Sequence, residues 1–330
     1  MQVVTLGEVL IDMFPAEVGR SLAEVTAFHP KPGGAPANVA VAAHRLGAET
    51  AFIGKVGDDL FGQHLIGVLR EEGMDTRGVR VSREARTTMA IIALPDEDSA
   101  EFVFYRNPGA DQLLRADELD RDLLASTRAF HFGSLSLTGD PIRTATHEAV
   151  RAAREGGALV SFDMNYRPAL WSSPLAAVEA AQAILPHVDL VKVNETELRL
   201  LTGRDLGAAG SFSRDAVEEA ARSLLGEGPS VVVVTFGRDG SFFRTRQGSG
   251  FAPPFEVGTV DATGCGDGFI AGLLVKLTGA TDWREMLAPD ALREALRYAN
   301  AVGALTATRQ GVIPALPAAE AVEAFLRERG

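Results

Sequence analysis

Cysteine occurs once in the 330 residues, at Cys265. No intrachain disulfide and no cysteine zinc site can therefore form. Long hydrophobic runs are also missing: none approaches the roughly 20 apolar residues that cross a bilayer. The opening MQVVTLGEVLIDMF lacks the basic start of a secretory signal and reads as a strand, so a cytoplasmic protein is expected. Positive charge is short: 32 Lys and Arg against 44 Asp and Glu leave a net −12. That argues against non-specific binding to nucleic acid or an anionic membrane. Six histidines are scattered without metal-ligand spacing, and His147-Glu148 does not extend to H-E-x-x-H. No G-x-x-x-x-G-K-[ST] occurs, so a P-loop is absent. Repeats, low-complexity tracts and obvious linkers are absent too. What is present is an ordinary globular composition, 46% hydrophobic and 23% charged.

Short apolar, β-branched segments at 3–8, 50–56, 129–132, 159–163, 190–193 and 230–235 suit strands buried on both faces. Helical patterns at 36–46, 62–72, 142–155, 175–185, 195–201 and 216–225 lie between them. Pro36 suits a first helical position, and Gly47, Gly73 and Gly156 suit helix C-termini. This alternation predicts an α/β fold: an open, mostly parallel sheet with helices on both faces. Ligands in such sheets sit beyond the carboxyl ends of the strands. Two segments break the rhythm. Residues 14–32 show no helical pattern, and 87–94 with 101–106 alternate like a hairpin around the polar turn Pro95-Asp96-Glu97-Asp98-Ser99. They predict a small projecting β-sheet, either a flap that keeps water from a reactive group or surface decoration.

The stretch DATGCGDGFIAG, residues 261–272, carries the most chemistry. Gly264, Cys265 and Gly266 form a small-residue turn that opens a helix, which leaves backbone N–H groups free to bind an anion. Asp267 follows at once. A carboxylate inside an anion site makes sense where a phosphoryl group is in transit and the carboxylate takes the proton of the attacking hydroxyl. The other reading is a plain helix cap. Gly264-x-Gly266-x-Gly268 lacks the spacing of a dinucleotide fingerprint. Upstream, Gly33-Gly34-Ala35-Pro36-Ala37-Asn38 runs into a helix. The paired glycines allow backbone to approach a ligand. Asn38, which can donate and accept, suits sugar hydroxyls, and Asp12 could chelate two of them. Each also has a local reading: Asn38 as a cap or solvent-facing residue, Asp12 as the start of a turn.

With these segments in view, the chain resembles the PfkB-type (ribokinase-like) carbohydrate kinases, and within them is most similar to fructokinases. GGAPANVAVAAHRLGAETAFIGKVGDD resembles the N-terminal family signature and DATGCGDGFIAG the C-terminal one. EFVFYRNPGADQLL, FHFGSLSL, DMNYRPALW, KVNETELRLLTG, VTFGRDGS and GVIPALP support the subfamily. The resemblance covers nearly the whole chain. It implies one ribokinase-like domain over residues 1–330, a three-layer α/β/α body with lid segments at about 12–32 and 86–107.

The implied activity is transfer of the γ-phosphoryl of Mg-ATP to a small sugar, D-fructose first. Other small acceptors (2-keto-3-deoxygluconate, ribose, a nucleoside or a sugar phosphate) remain open, as does a non-enzymatic sensor. Asp267 is implied as general base, with the amides of Gly264, Cys265 and Gly266 as anion hole. Asp12, Gly34 and Asn38 would hold the sugar, Tyr105 and Arg106 would close over it, and Arg167 would reach sugar or phosphates. Lys192, Asn194 and Glu197 would handle phosphates and, through Glu197, position Mg²⁺. Thr235, Gly237 and Gly240 would line the nucleotide groove, with Asn300 near the adenine. Asp261 and Thr263 resemble a monovalent-cation (K⁺) site. A homodimer through the lid is implied, with no nucleic-acid or membrane partner. Cys265 departs from the family's usual alanine. A buried, inert thiol is the first reading; the second is a reactive group that ATP protects, since a helix N-terminus could lower its pKa.

Overall fold

The computed structural model describes residues 1–17, 19–93, 95, 101–208 and 211–329. The chain opens with β1 (Val3–Leu6), leaves the main sheet through β2 (Leu10–Pro15) and β3 (Phe28–Gly33), and returns by α1 (Ala35–Arg45) to β4 (Thr50–Gly57). After α2 (Leu60–Glu71) and β5 (Val79–Ser82) comes a second excursion, β6 (Met89–Ala93) and β7 (Glu101–Tyr105). Then follow α3 (Arg121–Ala125), β8 (Ala129–Gly133), α4 (Ile142–Glu155), β9 (Leu159–Asp163), α5 (Pro174–Ile184), β10 (Leu190–Asn194) and α6 (Glu195–Thr202). A short ribbon, β11 (Gly207–Ala208) with β12 (Ser211–Phe212), precedes α7 (Arg214–Leu225), β13 (Val231–Thr235), β14 (Ser241–Thr245) and β15 (Ser249–Ala252). The chain closes with α8 (Cys265–Gly279), α9 (Pro289–Thr306) and α10 (Ala319–Glu328).

The main sheet has nine strands in the order β15-β14-β13-β10-β9-β8-β1-β4-β5. Pairing is parallel from β13 to β5, and β14 and β15 add an antiparallel edge. Strand side chains alternate between faces. Val231 and Val233 therefore enter a core with α1, α8 and α9, while Val232 and Val234 enter a second core with α4, α5 and α7. This is the expected three-layer body. No helix among the described residues is long and apolar enough to cross a membrane.

The projecting sheet has four strands, β3-β2-β6-β7, with β2 parallel to β6 and the outer pairs antiparallel. Both expected segments contribute, so the lid is larger than one hairpin. Of the expected turn, residues 96–99 lie outside the described residues. Asp12 is not near the end of the first strand, as expected from sequence. The chain leaves the main sheet after Leu6 at Gly7 (φ 152°), and Asp12 rides on β2 in the lid. The left-handed glycine after α4 is Gly157 (φ 82°), not Gly156.

Helix starts differ in a way that matters for the site. Asp59, Ser173, Asn194 and Ser213 cap α2, α5, α6 and α7 with side-chain oxygens. In contrast, α1 and α8 begin at left-handed glycines, Gly34 (φ 106°) and Gly264 (φ 81°), without a side-chain cap. At α1 the first N–H, of Ala35, donates instead to Glu8 Oε1 at 3.1 Å, whereas α8 leaves its first turn open.

Candidate active site

The starts of α1 and α8, far apart in sequence, meet through one hydrogen bond. Asn38 Nδ2 in α1 donates to Asp267 Oδ2 in α8 at 2.9 Å. Asn38 is buried, and its Oδ1 has no partner, which leaves an acceptor free for a ligand hydroxyl. Asp267 keeps partial solvent access. Crowding by protein nevertheless raises its carboxyl to about 6. The Asn38 bond works against that, Asp163 adds to it, and Lys192 and Arg167 oppose it. Asp267 is thus a carboxylate at neutral pH, and a stronger base than an exposed aspartate.

Asp12 joins them from the lid. Burial first, then repulsion from Asp267, raise its carboxyl to about 7 against the opposing pull of Arg167. Asp12, Asp267 and Arg167 therefore form one electrostatic group. Arg167 Nη1 also donates to Tyr166 O at 3.3 Å. Gly33, read from sequence as one of a glycine pair that lets backbone approach a ligand, makes room for a side chain instead. A Cβ there would lie 1.9 Å from Asp12 Oδ2, so the carboxylate occupies the space of the absent side chain. Gly34 is closed in another way: a Cβ would meet Glu8 O at 2.5 Å.

Tyr105 and Arg106 separate. Tyr105 lies outward on β7, 59% exposed. Arg106 is buried in the lid hinge. Its Nε donates to Asp111 Oδ2 at 2.8 Å, Nη1 to Thr138 Oγ1 and Nη2 to Leu135 O, both at 3.0 Å. In this structure its guanidinium is engaged by protein rather than presented to the cleft.

On the nucleotide side, α8 offers its amides. The N–H groups of Gly264, Gly266 and Asp267 have no protein partner among the described residues, whereas Cys265 N–H donates to Ala262 O at 3.3 Å. Lys192 stands beside this turn: a Cβ on Gly266 would lie 3.4 Å from its Nζ. Lys192 Nζ donates to Asp163 Oδ2 at 2.8 Å, both side chains buried. Burial works against the ammonium, but Asp163, Glu197 and Asp267 hold its pKa above the ordinary value. Asp163 was missed by sequence reasoning. A strand-final aspartate reads as a turn residue, and only the parallel pairing of β9 with β10 sets it against Lys192.

Glu197 and Asn194 form a reciprocal cap: Asn194 N–H donates to Glu197 Oε2 and Glu197 N–H to Asn194 Oδ1, each at 2.8 Å. Glu197 Oε1 accepts Tyr166 N–H at 2.7 Å. Burial, then Asp163, raise the Glu197 carboxyl. Each oxygen keeps one lone pair, which fits holding a water of a hydrated Mg²⁺. Thr235 ends β13, and the next turn passes through left-handed Gly237 (φ 56°) and Gly240 (φ 93°). Asn300 braces α9 against β14 and β15: Nδ2 donates to Ala252 O at 3.1 Å and Pro253 O at 2.9 Å, and Oδ1 accepts from Ser241.

Asp261 Oδ1 accepts Thr263 N–H and Oδ2 accepts Gly311 N–H, both at 2.9 Å. No cluster of three or more His, Cys, Asp or Glu able to hold an ion occurs among the described residues. A cation here would rely on backbone oxygens, water or phosphate beside a single carboxylate. Val312 fills the space above Gly264, where a Cβ would meet its Cγ1 at 2.3 Å. Of the two readings of Cys265, the surroundings favour the inert one: burial first, then Asp261 and Asp267, push the thiol up to about 12.

A pfkB family carbohydrate kinase profile matches residues 1–319. Fructokinase-1 of Zea mays is 44% identical over 315 residues, covering 96% of this chain and 94% of that one. Among solved structures, fructokinase with bound ATP from Xylella fastidiosa superposes with a TM-score of 0.86 at 33% identity, over 99% of this chain and 98% of that one. A double-mutant fructokinase from Vibrio cholerae O395, solved with fructose, ADP and potassium ion, gives 0.84 at 32% identity over 99% and 98%. With its two signatures folded into one cleft, the chain belongs to the pfkB family of carbohydrate kinases.

Proposed function

We propose that this enzyme transfers the γ-phosphoryl group of ATP to D-fructose, giving fructose 6-phosphate. The observation that carries the reading is the Asn38–Asp267 bond at the uncapped start of α8, which puts a base with a raised pKa beside free backbone amides. Asp12 and Asn38 hold sugar hydroxyls. Asp267 accepts the proton of the attacking hydroxyl late, as its oxygen meets phosphorus. The amides of Gly264, Gly266 and Asp267, with Lys192, stabilise the charge on the phosphoryl oxygens. Glu197 and Asn194 would hold the water shell of the Mg²⁺ that accompanies ATP, which when bound would supply charge neutralisation at the phosphates. Asp261 and Thr263 would hold a K⁺ ion behind the anion turn. Self-association through the lid belongs to the same reading: β7 is a sheet edge, with Phe102, Val103 and Tyr105 exposed.

A coupled ADP-release assay with Mg-ATP tests this across D-fructose, D-glucose, D-ribose, 2-keto-3-deoxygluconate, adenosine and fructose 6-phosphate. The expected result is preference for fructose, with kcat lowered about 10²–10⁴-fold in Asp267→Ala. Preference for another acceptor overturns the substrate, and near-wild-type kcat in Asp267→Ala overturns the base.

A further inference from the structure

Lys31 stands opposite Asp12 in the β2–β3 pairing, so both side chains share one face of the lid. Its Nζ lies over the Phe14 ring, 4.7 Å from the centroid. The side chain then crosses Gly311 at the far side of the cleft: a Cβ there would lie 3.2 Å from Nζ and 3.3 Å from Cδ. Gly311 is left-handed (φ 87°), which lets the loop pass close beneath the lysine. This half-buried ammonium therefore rests on an aromatic face and a glycine.

The loop it touches supports the anion turn twice over. Gly311 N–H holds Asp261 Oδ2, whose other oxygen holds Thr263 N–H. Val312, the next residue, packs on Gly264 at the helix start. A lid strand thus bears on the wall of the phosphoryl site through one side chain, and the partner strand carries a sugar carboxylate.

We propose that Lys31 is a positioning residue that couples sugar occupancy of the lid to the anion-binding turn of α8. Sugar held by Asp12 fixes β2, and β3 is fixed with it by their shared ladder. Lys31 then presses the Gly311–Val312 loop into the arrangement that holds Asp261 and backs Gly264. The nucleotide should bind more tightly once the sugar is in place, and reciprocally. This inference rests on the sugar-kinase reading.

The test is titration calorimetry of the non-hydrolysable ATP analogue AMP-PNP with Mg²⁺, with and without saturating fructose, on wild type, Lys31→Met and Lys31→Arg. Fructose is expected to tighten AMP-PNP about 5–10-fold in wild type. In Lys31→Met the factor should drop below about twofold, with each ligand alone binding within about twofold of wild type. Lys31→Arg, with similar reach and charge, should keep most of the coupling. Full coupling in Lys31→Met overturns the proposal. So does an equal loss of AMP-PNP affinity with and without sugar, which would make Lys31 a direct phosphate contact. Absence of coupling in a wild type that phosphorylates fructose overturns it as well. Failure of the sugar-kinase reading shows separately, as a wild type that does not phosphorylate fructose.

Discussion

Arg106–Asp111 in the lid hinge and Lys192–Asp163 at the carboxyl edge of the main sheet are both buried ion pairs, at 2.7 and 2.8 Å, yet they serve opposite ends. In the hinge the valences are nearly filled. Arg106 also donates to Leu135 O and Thr138 Oγ1, and Asp111 also accepts Thr88 Oγ1–H. Thr88 and Arg106 flank the β6–β7 pair, so Asp111 locks both its legs. At the sheet edge, Lys192 has Asp163 as its one hydrogen-bond partner among the described residues, beside a turn of free amides. A buried charge is costly unless fully paired. The filled pair reads as scaffold, and the unfilled one as a site awaiting an anion.

The largest expected effect breaks this contrast directly. Lys192→Met and Arg106→Met each strand a buried carboxylate and should cost about 3–5 kcal/mol of stability in urea melts. Only Lys192→Met should also abolish AMP-PNP binding. The double variant Lys192→Met with Asp163→Leu should recover most of the stability without recovering nucleotide binding. Equal nucleotide loss in Arg106→Met would erase the distinction.

A medium effect concerns pH. Asp12 and Asp267, raised to about 7 and about 6, must lose protons for sugar binding and proton acceptance, so kcat/KM should fall as pH drops through that range. The limb belongs to the pair rather than to either residue. Asn38 favours ionised Asp267, so Asn38→Ala should shift the limb upward; a shift of about one unit makes the loss about fivefold larger at pH 6 than at pH 8. It should also raise the fructose KM while leaving the ATP KM nearly unchanged. An unmoved limb would detach Asn38 from the base.

The smallest effect is at Cys265. With the thiol raised to about 12, iodoacetamide labelling at pH 8 should run on the order of 10²–10³-fold slower than with free cysteine, followed by mass spectrometry. Cys265→Ala should leave kcat within about twofold. Fast labelling that ATP prevents would restore the reactive reading.

The body was legible because its signals are local: apolar strands, amphipathic helices and a small-residue turn, each read within a dozen residues. The lid was harder. Phe28–Gly33 contains Pro30 and Pro32, which a central strand would not tolerate but a sheet edge does, so β3 does not read as a strand. Asp12 and Asn38 can be picked out from sequence as polar residues beside a glycine pair, but the Asn38–Asp267 bond spans most of the chain and leaves no local trace. Asp163 becomes visible only through strand order. For Cys265 the sequence leaves a reactive and a buried reading open, because the helix dipole can be read from it whereas burial beside Asp261 and Asp267 cannot. Arg106 reads as a ligand contact until Asp111, Leu135 and Thr138 are seen around it.

Gly33 is not among the left-handed glycines, so its backbone would suit any residue. What it supplies is a hollow, and the Asp12 carboxylate lies in it. No amino acid is smaller, so the position admits no conservative replacement. Gly67 on α2, outside the lid, has nothing within 4 Å of an added Cβ and carries no such constraint. A lineage that exchanged its sugar would have to change Asp12 before Gly33 could be released.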